Sequence, residues 1–258
     1  MLIDPNLDAF VDQLPGNARR IPVVRLNGEF SKPFNPPAAA PGADRRVALS
    51  PDSICLLVHT GGSTGLPKIC RISYRQMLWN AFELMTAAVE GLGRRRELLL
   101  FPLFHIGGWN TVIPIILSGG CLILQPRFDA GEALTLIDTH GINHFGAVEA
   151  MLVAMAGHER FTAASLATLS GITSAGAPCS NASAKPFFDR GIPISQAYGL
   201  TEAGPSNFMN VRDDKDIELL RESQSSIGGA FAFCDYRIVH PQTEEVCAIG
   251  TTGELQMR

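Results

Sequence analysis

The sequence predicts an α/β fold: a layered domain with a mostly parallel sheet flanked by helices, and the start of a small β subdomain at the C-terminal end. Three observations support this. Apolar, strand-like runs alternate with helical patterns from Asp52 onward. Two of those helices begin with capping sequences, and from Gly228 only short strand patterns joined by turn residues remain. Strands that alternate with helices are typical of layered domains built on a parallel sheet.

The first 50 residues differ in composition from the rest of the chain. Positions 32–41 read KPFNPPAAAP, and prolines at this density are incompatible with a helix. Residues 1–50 are therefore predicted to be an extended, Pro/Ala-rich lead-in. The α/β core is predicted to occupy 51–226, and the β subdomain to begin within 227–258.

Strands and helices follow in alternation after this lead-in. The predicted strands are 54–58, 69–72, 97–101, 121–125, 142–148, 169–174 and 192–197, with two more at 236–240 and 253–257. The predicted helices are 74–91, 107–117, 131–140, 149–157 and 180–189.

Two helices carry clear start and stop signals. Ser73 and Gln76 form a capping box for the first helix. In that helix the residues on one apolar stripe are Leu78, Phe82, Met85 and Val89, and Gly91 ends it. Asp129 and Glu132 cap the helix that stops at Gly141.

Composition restricts the class of protein. The chain has 258 residues, of which 46% are hydrophobic and 18% charged, enough for an ordinary buried core. A net charge of −4 argues against nucleic acid as a partner. The longest apolar run, 112–117, is interrupted by Pro114, so no membrane span is predicted. The first residues, MLIDP, have neither a basic region nor a long apolar run, so no signal peptide is predicted. The six cysteines show no C-x-x-C pair, which favours free thiols and a cytoplasmic location.

The segment 60–68, TGGSTGLPK, is the strongest single indication of chemistry. Its glycines, Gly61, Gly62 and Gly65, let backbone N–H groups converge on an anion. The hydroxyls of Thr60, Ser63 and Thr64 can donate to phosphate oxygens, and Lys68 adds a positive charge. It is not a Walker A loop, because Pro67 precedes the lysine. The alternative interpretation is an ordinary surface loop.

Three further segments follow strand patterns: FPLFHIGG at 101–108, SAGAP at 174–178 and QAYGLTE at 196–202. Together with 60–68, and in this order, they resemble signature motifs of the adenylate-forming superfamily. That superfamily includes acyl-CoA synthetases, firefly luciferase and the adenylation domains of peptide synthetases. The resemblance covers residues 50 to 258, nearly the whole chain.

The resemblance implies a reaction and assigns roles within it. ATP, Mg²⁺ and CoA would act on a small-molecule carboxylic acid to give an acyl-adenylate and then an acyl-CoA. The segment from Thr60 to Gly65 and Lys68 would hold the β and γ phosphates. Thr201 would contact the α-phosphate, and Glu202 would ligate Mg²⁺.

The same resemblance places the adenine and the acid. The adenosine-side residues would be Ala175, Gly176, Ala177, Tyr198 and Gly199. His105 would flank the acyl pocket and move when the thioester forms, and the apolar wall residues would be Phe104, Ile106, Trp109 and Ala197. Each polar role has a plain alternative: Thr201 and Glu202 as a helix start, Tyr198 as packing, and His105 as a helix cap.

Two rival functions stay open. Members that activate amino acids place an aspartate near the His105 segment; residues 104–109 contain no acid, which favours a fatty or aryl acid. The other rival is a degenerate, non-catalytic binding module. Family members also continue beyond the position of Arg258 into a domain that carries the adenylation lysine. We therefore expect a truncated core that is weakly active or inactive alone, with homo-oligomerisation left open.

Overall fold

A computed structural model of the chain describes residues 2–3, 24–25, 50–60, 68–87, 95–210 and 216–257. The chain divides into two compact units, 1–48 and 49–258. In the first unit, strands β1 (Leu2–Ile3) and β2 (Val24–Arg25) pair in parallel. The rest of the predicted lead-in lies outside the described residues.

The second unit begins with an antiparallel hairpin and continues into the main sheet. The hairpin pairs β3 (Ile54–Thr60) with β4 (Lys68–Ser73). The main-sheet strands are β5 (Arg96–Leu99), β6 (Cys121–Leu124), β7 (His144–Ala147), β8 (Gly171–Ser174), β9 (Ile194–Tyr198), β10 (Phe208–Met209) and β11 (Gly229–Ala230). Their spatial order is β11-β10-β9-β8-β7-β5-β6. Strands β5 to β9 run parallel, whereas β10 and β11 are antiparallel additions at one edge.

Helices lie between successive strands along the chain. They are α1 (Tyr74–Ala87), α2 (Ile106–Ser118), α3 (Ala130–His140), α4 (Glu149–Ala156), α5 (Arg160–Ala163), α6 (Asn181–Phe188) and α7 (Ile217–Glu222). A last antiparallel pair, β12 (Tyr236–Val239) with β13 (Glu254–Met257), follows the sheet. The predicted α/β class with a mostly parallel sheet is confirmed, as are the small strands near the C-terminal end. The short elements α5, α7, β10 and β11 have no counterpart in the predicted strands and helices.

Two apolar clusters hold this unit together. The larger lies against the parallel sheet, and its fully buried members include Leu98, Leu134, Phe145, Ile172 and Phe187. The smaller joins the β3–β4 hairpin to the first two helices through Val58, Ile72, Met77 and Ile106. All six cysteines are free thiols; Cys179 is buried and the others are half-buried.

The predicted capping sequences make the expected bonds. The backbone N–H of Gln76 donates to Ser73 Oγ at 3.2 Å, and the N–H of Ser73 donates to Gln76 Oε1 at 3.1 Å. The N–H of Glu132 donates to Asp129 Oδ1 at 2.7 Å. Gly141 ends α3 with φ at 58°, in the left-handed region that favours glycine.

The apolar stripe of α1 is not its packed face, which corrects the sequence interpretation. Leu78 and Phe82 are 37% and 42% exposed, whereas Met77, Ala81 and two polar residues, Asn80 and Glu83, are buried. Asn80 and Glu83 face inward because each bonds a backbone group of a distant loop. Val89 of the same stripe lies outside the described residues. Within the described ranges, none of the helices has both the length and the apolar character needed to cross a membrane.

Candidate functional site

The sequence-predicted segments gather at one edge of the main sheet. Strands β5, β8 and β9 run parallel, so their carboxyl ends lie on the same side. Residues 104–105 follow β5, residues 175–177 follow β8, and residues 199–202 follow β9. The carboxyl edge of a parallel sheet is where α/β proteins bind their ligands, because chain ends from several strands meet there.

The loop after β8 is fixed by a buried amide on the neighbouring strand. Gln196 donates from Nε2 to the carbonyl of Ala177 at 3.1 Å, and its Oε1 accepts from the N–H of Cys179 at 3.3 Å. Gly176 has φ at 82°, a conformation that L side chains rarely adopt. Gly176 and Ala177 are exposed, so their backbone is open to a ligand.

Glu149 holds the next stretch of that loop. Its Oε1 accepts from the N–H of Ser180 at 2.9 Å and from the hydroxyl of Ser183 at 2.8 Å. The backbone bond from Ser180, together with the serine hydroxyls, lowers the pKa of the Glu149 carboxyl below its ordinary value. The loop is thus tied to α4 on one side and to β9 on the other.

The turn after β9 carries Thr201 and Glu202. These residues form a short 3-10 turn, Thr201–Ala203, before the chain returns as β10. Thr201 is half-buried and Glu202 is exposed. The Glu202 carboxylate makes no ion pair with any residue that the structure describes. Tyr198 ends β9 and its ring lies 6.2 Å from the Phe208 ring, edge to face.

The hairpin approaches this turn from the side. Thr60 and Lys68 are register partners, so they close the segment between them. Its predicted phosphate-binding residues, Gly61, Gly62, Ser63, Thr64 and Gly65, lie outside the described residues. The Sγ atom of Cys70 lies 3.9 Å from the carbonyl oxygen of Thr201.

That contact indicates where Lys68 points. Residues two apart on a strand share a face, so the side chain of Lys68 projects toward the same side as Cys70, about 7 Å along the strand. Burial raises the pKa of the Cys70 thiol, and the nearby Glu202 carboxylate raises it further. Lys68 therefore lies on the strand face that Cys70 presents to the turn carrying Thr201 and Glu202.

His105 begins α2. Its Nδ1 accepts from the N–H of Gly107 at 3.0 Å, and its ring is exposed. Trp109 donates from Nε1 to the carbonyl of Leu103 at 2.8 Å, which ties the loop before α2 to the first turn of that helix.

The four predicted wall residues differ in exposure. Phe104 is 83% exposed, Ala197 is buried within β9, and Ile106 is buried in the smaller cluster, against which the half-buried Trp109 packs. Phe104 is the one with a freely accessible apolar surface.

A cleft of about 300 Å³ beside the Thr201–Ala203 turn was not anticipated from the sequence. Its lining includes Trp79, Asn80 and Glu83 from α1, Gly204 and Asn207 from the segment that follows the turn, and Phe233. Glu83 is 5% exposed, and its Oε1 accepts from the N–H of Phe233 at 2.9 Å. Burial raises the pKa of this carboxyl, although its hydrogen bonds act in the opposite direction.

A Glu83→Gln variant should be more thermostable than the parent chain at pH 8, with the difference shrinking toward pH 4. A carboxyl whose pKa is raised on folding is penalised only when ionised. The parent chain therefore has no such penalty below the ordinary glutamate pKa of about 4.3. Its free energy of unfolding falls as pH rises from there through the raised pKa of Glu83 in the folded state. Melting temperatures of both proteins between pH 4 and 8 measure the effect. Glu159→Gln, at an exposed glutamate, should show no such trend; an equal trend there would contradict the assignment.

The AMP-binding enzyme family matches residues 7–258 of the chain. A feruloyl-CoA synthase from Amycolatopsis sp is 31% identical over 241 residues, which is 93% of this chain and 45% of that protein. The inhibitor-bound N-terminal domain of FACL13 from Mycobacterium tuberculosis superposes with a TM-score of 0.77 at 23% identity, covering 95% of this chain and 60% of that one. O-succinylbenzoate CoA synthetase (MenE) from Bacillus subtilis, in complex with ATP and a magnesium ion, gives 0.70 at 23% identity, covering 81% and 42%. The chain thus spans just under half the length of the feruloyl-CoA synthase.

Proposed function

The chain belongs to the AMP-binding enzyme family, and on that premise we propose that it forms the nucleotide- and acid-binding core of an ATP-dependent acid–CoA ligase. The acid is an organic carboxylic acid, aryl or fatty. The name of the feruloyl-CoA synthase relative supports an aromatic acid. The absence of an acidic residue from 104–109 supports a substrate without an ammonium group.

One observation supports this proposal above the others: the strand that begins at Lys68 packs, through Cys70, against the turn that carries Thr201 and Glu202. The Cys70–Thr201 contact joins the hairpin to the turn after β9. The loop after β8 begins at the same edge of the sheet, because β8 and β9 are parallel. A cation, a hydroxyl and a carboxylate on two segments in contact suit a polyphosphate and its metal.

The first step joins the acid to ATP. A carboxylate oxygen of the acid attacks the α-phosphorus, the bond from that phosphorus to the bridging oxygen breaks, and pyrophosphate leaves with the electron pair. No proton is transferred. Lys68 offsets negative charge on the leaving group and the Thr201 hydroxyl donates to an α-phosphate oxygen, so the protein contributes mainly positioning and electrostatic stabilisation.

Magnesium fits the residues present. Glu202 offers an exposed carboxylate without an ion-pair partner among the described residues, and magnesium is often bound by one or two carboxylates plus phosphate and water. No group of three or more His, Cys, Asp or Glu residues in the described ranges could hold a metal by itself. When bound, the ion would offset charge on the phosphate oxygens.

The second step transfers the acyl group. The CoA thiol loses its proton to solvent, the thiolate attacks the acyl carbon of the adenylate, and the bond from that carbon to the AMP oxygen breaks, so that AMP leaves with the electron pair. His105 would stand beside this carbon. Because its Nδ1 accepts from Gly107, a neutral ring carries its proton at Nε2 and presents a donor there.

Thermal melting with ligands tests the proposal. ATP with Mg²⁺ should stabilise the chain, by about 2.7 kcal/mol at a concentration one hundred times the Kd. Ferulate, palmitate and an amino-acid panel should then be added, and pyrophosphate exchange measured for each. No stabilisation by ATP with Mg²⁺ would refute the proposal. Stabilisation by the nucleotide with no further stabilisation by any acid would favour the binding module, and exchange or stabilisation with amino acids alone would favour the peptide-synthetase type.

Glu202→Gln should weaken the binding of ATP with Mg²⁺ by about tenfold while leaving metal-free ATP binding unchanged, because it removes one anionic metal ligand and keeps the shape. Titration at several Mg²⁺ concentrations measures this. Glu245→Gln, at an exposed glutamate in the turn between β12 and β13, is the matched control. Equal loss in both variants, or no loss at Glu202, would remove this residue from the metal site.

A further inference from the structure

The turn that carries Thr201 and Glu202 needs support from outside itself. Tyr198 pairs with Phe208 in the antiparallel register of β9 and β10, and residues 199–207 make the connection. The N–H of Asn207 donates to the carbonyl of Tyr198 at 2.9 Å, which closes the base of this connection. The residue before the 3-10 turn, Leu200, provides no side-chain cap.

The side chain of Asn207 supplies the missing support. Its Oδ1 accepts from the N–H of Leu200 at 3.2 Å, just before the turn, and its Nδ2 donates to the carbonyl of Ala203 at 3.0 Å, at the end of the turn. Asn207 is 4% exposed, so both bonds are shielded from water. One side-chain amide thus hydrogen-bonds to the backbone on both sides of Thr201 and Glu202.

The neighbouring residue is anchored to two helices. The carbonyl of Ser206 accepts from Asn80 Nδ2 on α1 at 2.8 Å, and its hydroxyl accepts from Asn110 Nδ2 on α2 at 2.8 Å. These bonds fix Ser206 against α1 and α2. The side chain of the next residue, Asn207, connects this fixed point to the backbone on either side of Thr201 and Glu202.

We propose that Asn207 is a positioning residue that holds Thr201 and Glu202 in place for the nucleotide and its metal. It touches neither ligand and acts through the turn. The inference rests on the function proposed above. An amide is required because one oxygen must accept and one N–H must donate; a carboxylate of the same shape only accepts.

A ligand-independent experiment uses the Cys70 thiol, which lies against Thr201. In Asn207→Asp the turn should open, and alkylation of Cys70 should speed up by about fivefold, because thiol reaction follows access. Labelling at Cys179, which is 3% exposed, should stay unchanged. Asn181→Asp, at an exposed asparagine on α6, is the control. Peptide mass spectrometry reads each thiol separately.

The outcomes separate local from global effects. Faster labelling of Cys70 alone supports the inference. Unchanged labelling, or equal acceleration at Cys70 and Cys179, overturns it. Asn207→Ser, a smaller change that keeps one polar atom, should act in the same direction, and it decides the question if the aspartate variant does not fold.

The nucleotide provides the second measurement. Asn207→Asp should bind ATP with Mg²⁺ about tenfold more weakly than the parent chain. If the parent binds and the variant binds equally well, Asn207 does not position the site and the proposed function stands. If the parent shows neither binding nor exchange, the proposed function fails, and with it the role of Asn207 for a nucleotide; the labelling ratio still decides whether it holds the turn.

Discussion

Gly199→Ala should weaken the binding of ATP with Mg²⁺ by about 100-fold, because a misplacement near 1 Å can have an effect of this size. A Cβ at this position would lie 2.1 Å from the carbonyl oxygen of Pro205 and 2.6 Å from its carbon. These are backbone atoms, which have no rotamer to change. The connection 199–207 must therefore shift, and it carries Thr201 and Glu202. Ligand-dependent melting and direct titration with ATP and Mg²⁺ measure the loss.

The matched control is Gly229→Ala. Gly229 lies in β11 and an added Cβ there would meet nothing within 4 Å. Its effect on stability should stay within about 0.5 kcal/mol and its nucleotide affinity should be that of the parent chain. Gly199→Ala itself should lose about 1–3 kcal/mol of unfolding free energy, as overpacked sites do. An unchanged affinity in a folded Gly199→Ala protein would show that the turn after β9 does not contact the nucleotide.

The fold was accessible from the sequence because its signals are local. The boundaries of β9 and α3 come from residues close in the chain: apolar runs, the Asp129 cap and the Gly141 stop. Once strands and helices alternate, the parallel sheet and its single ligand-binding edge follow from topology. Residues 104–105, 175–177 and 199–202 lie at that edge because each follows a parallel strand.

The parts that sequence reasoning missed depend on long-range partners. Asn80 reaches the carbonyl of Ser206, and Glu83 reaches the N–H of Phe233, on loops far along the chain. Those two bonds turn α1 so that polar residues face inward and Phe82 faces outward, the reverse of what hydrophobic periodicity indicates. The support that Asn207 gives to the turn has no motif of its own, because an asparagine in a loop is ordinary in any sequence.

Apolar wall residues do not predict which acid the chain binds. Apolar walls discriminate weakly between similar acids, since one methylene in a pocket changes binding by about 1–3 kcal/mol. Phe104 has an exposed apolar surface and Ala197 is buried, and neither supplies a polar contact that would select one acid. Specificity therefore has to be measured with a panel of acids.

Phe145→Ala should lower the unfolding free energy by about 3–5 kcal/mol, the usual range for a buried phenylalanine. Phe145 lies on β7, in the middle of the five parallel strands, and is fully buried. Removal of the ring deletes its packing contacts and leaves a cavity between the sheet and the helices. The surrounding side chains are closely packed, so they relax only partly into that cavity. For a unit of this size the melting temperature should fall by roughly 6–20 °C.

Phe104→Ala makes the same chemical change at a side chain that is 83% exposed. Its stability should stay within about 0.5 kcal/mol of the parent, since little surface is buried there. The two variants therefore distinguish folding stability from acid binding. Phe145→Ala should lower the free energy of unfolding, whereas Phe104→Ala should change acid binding and leave that free energy unchanged. Urea unfolding followed by circular dichroism gives both free energies. Equal destabilisation by the two substitutions would mean that Phe104 is packed against the protein and does not form an open wall for the acid.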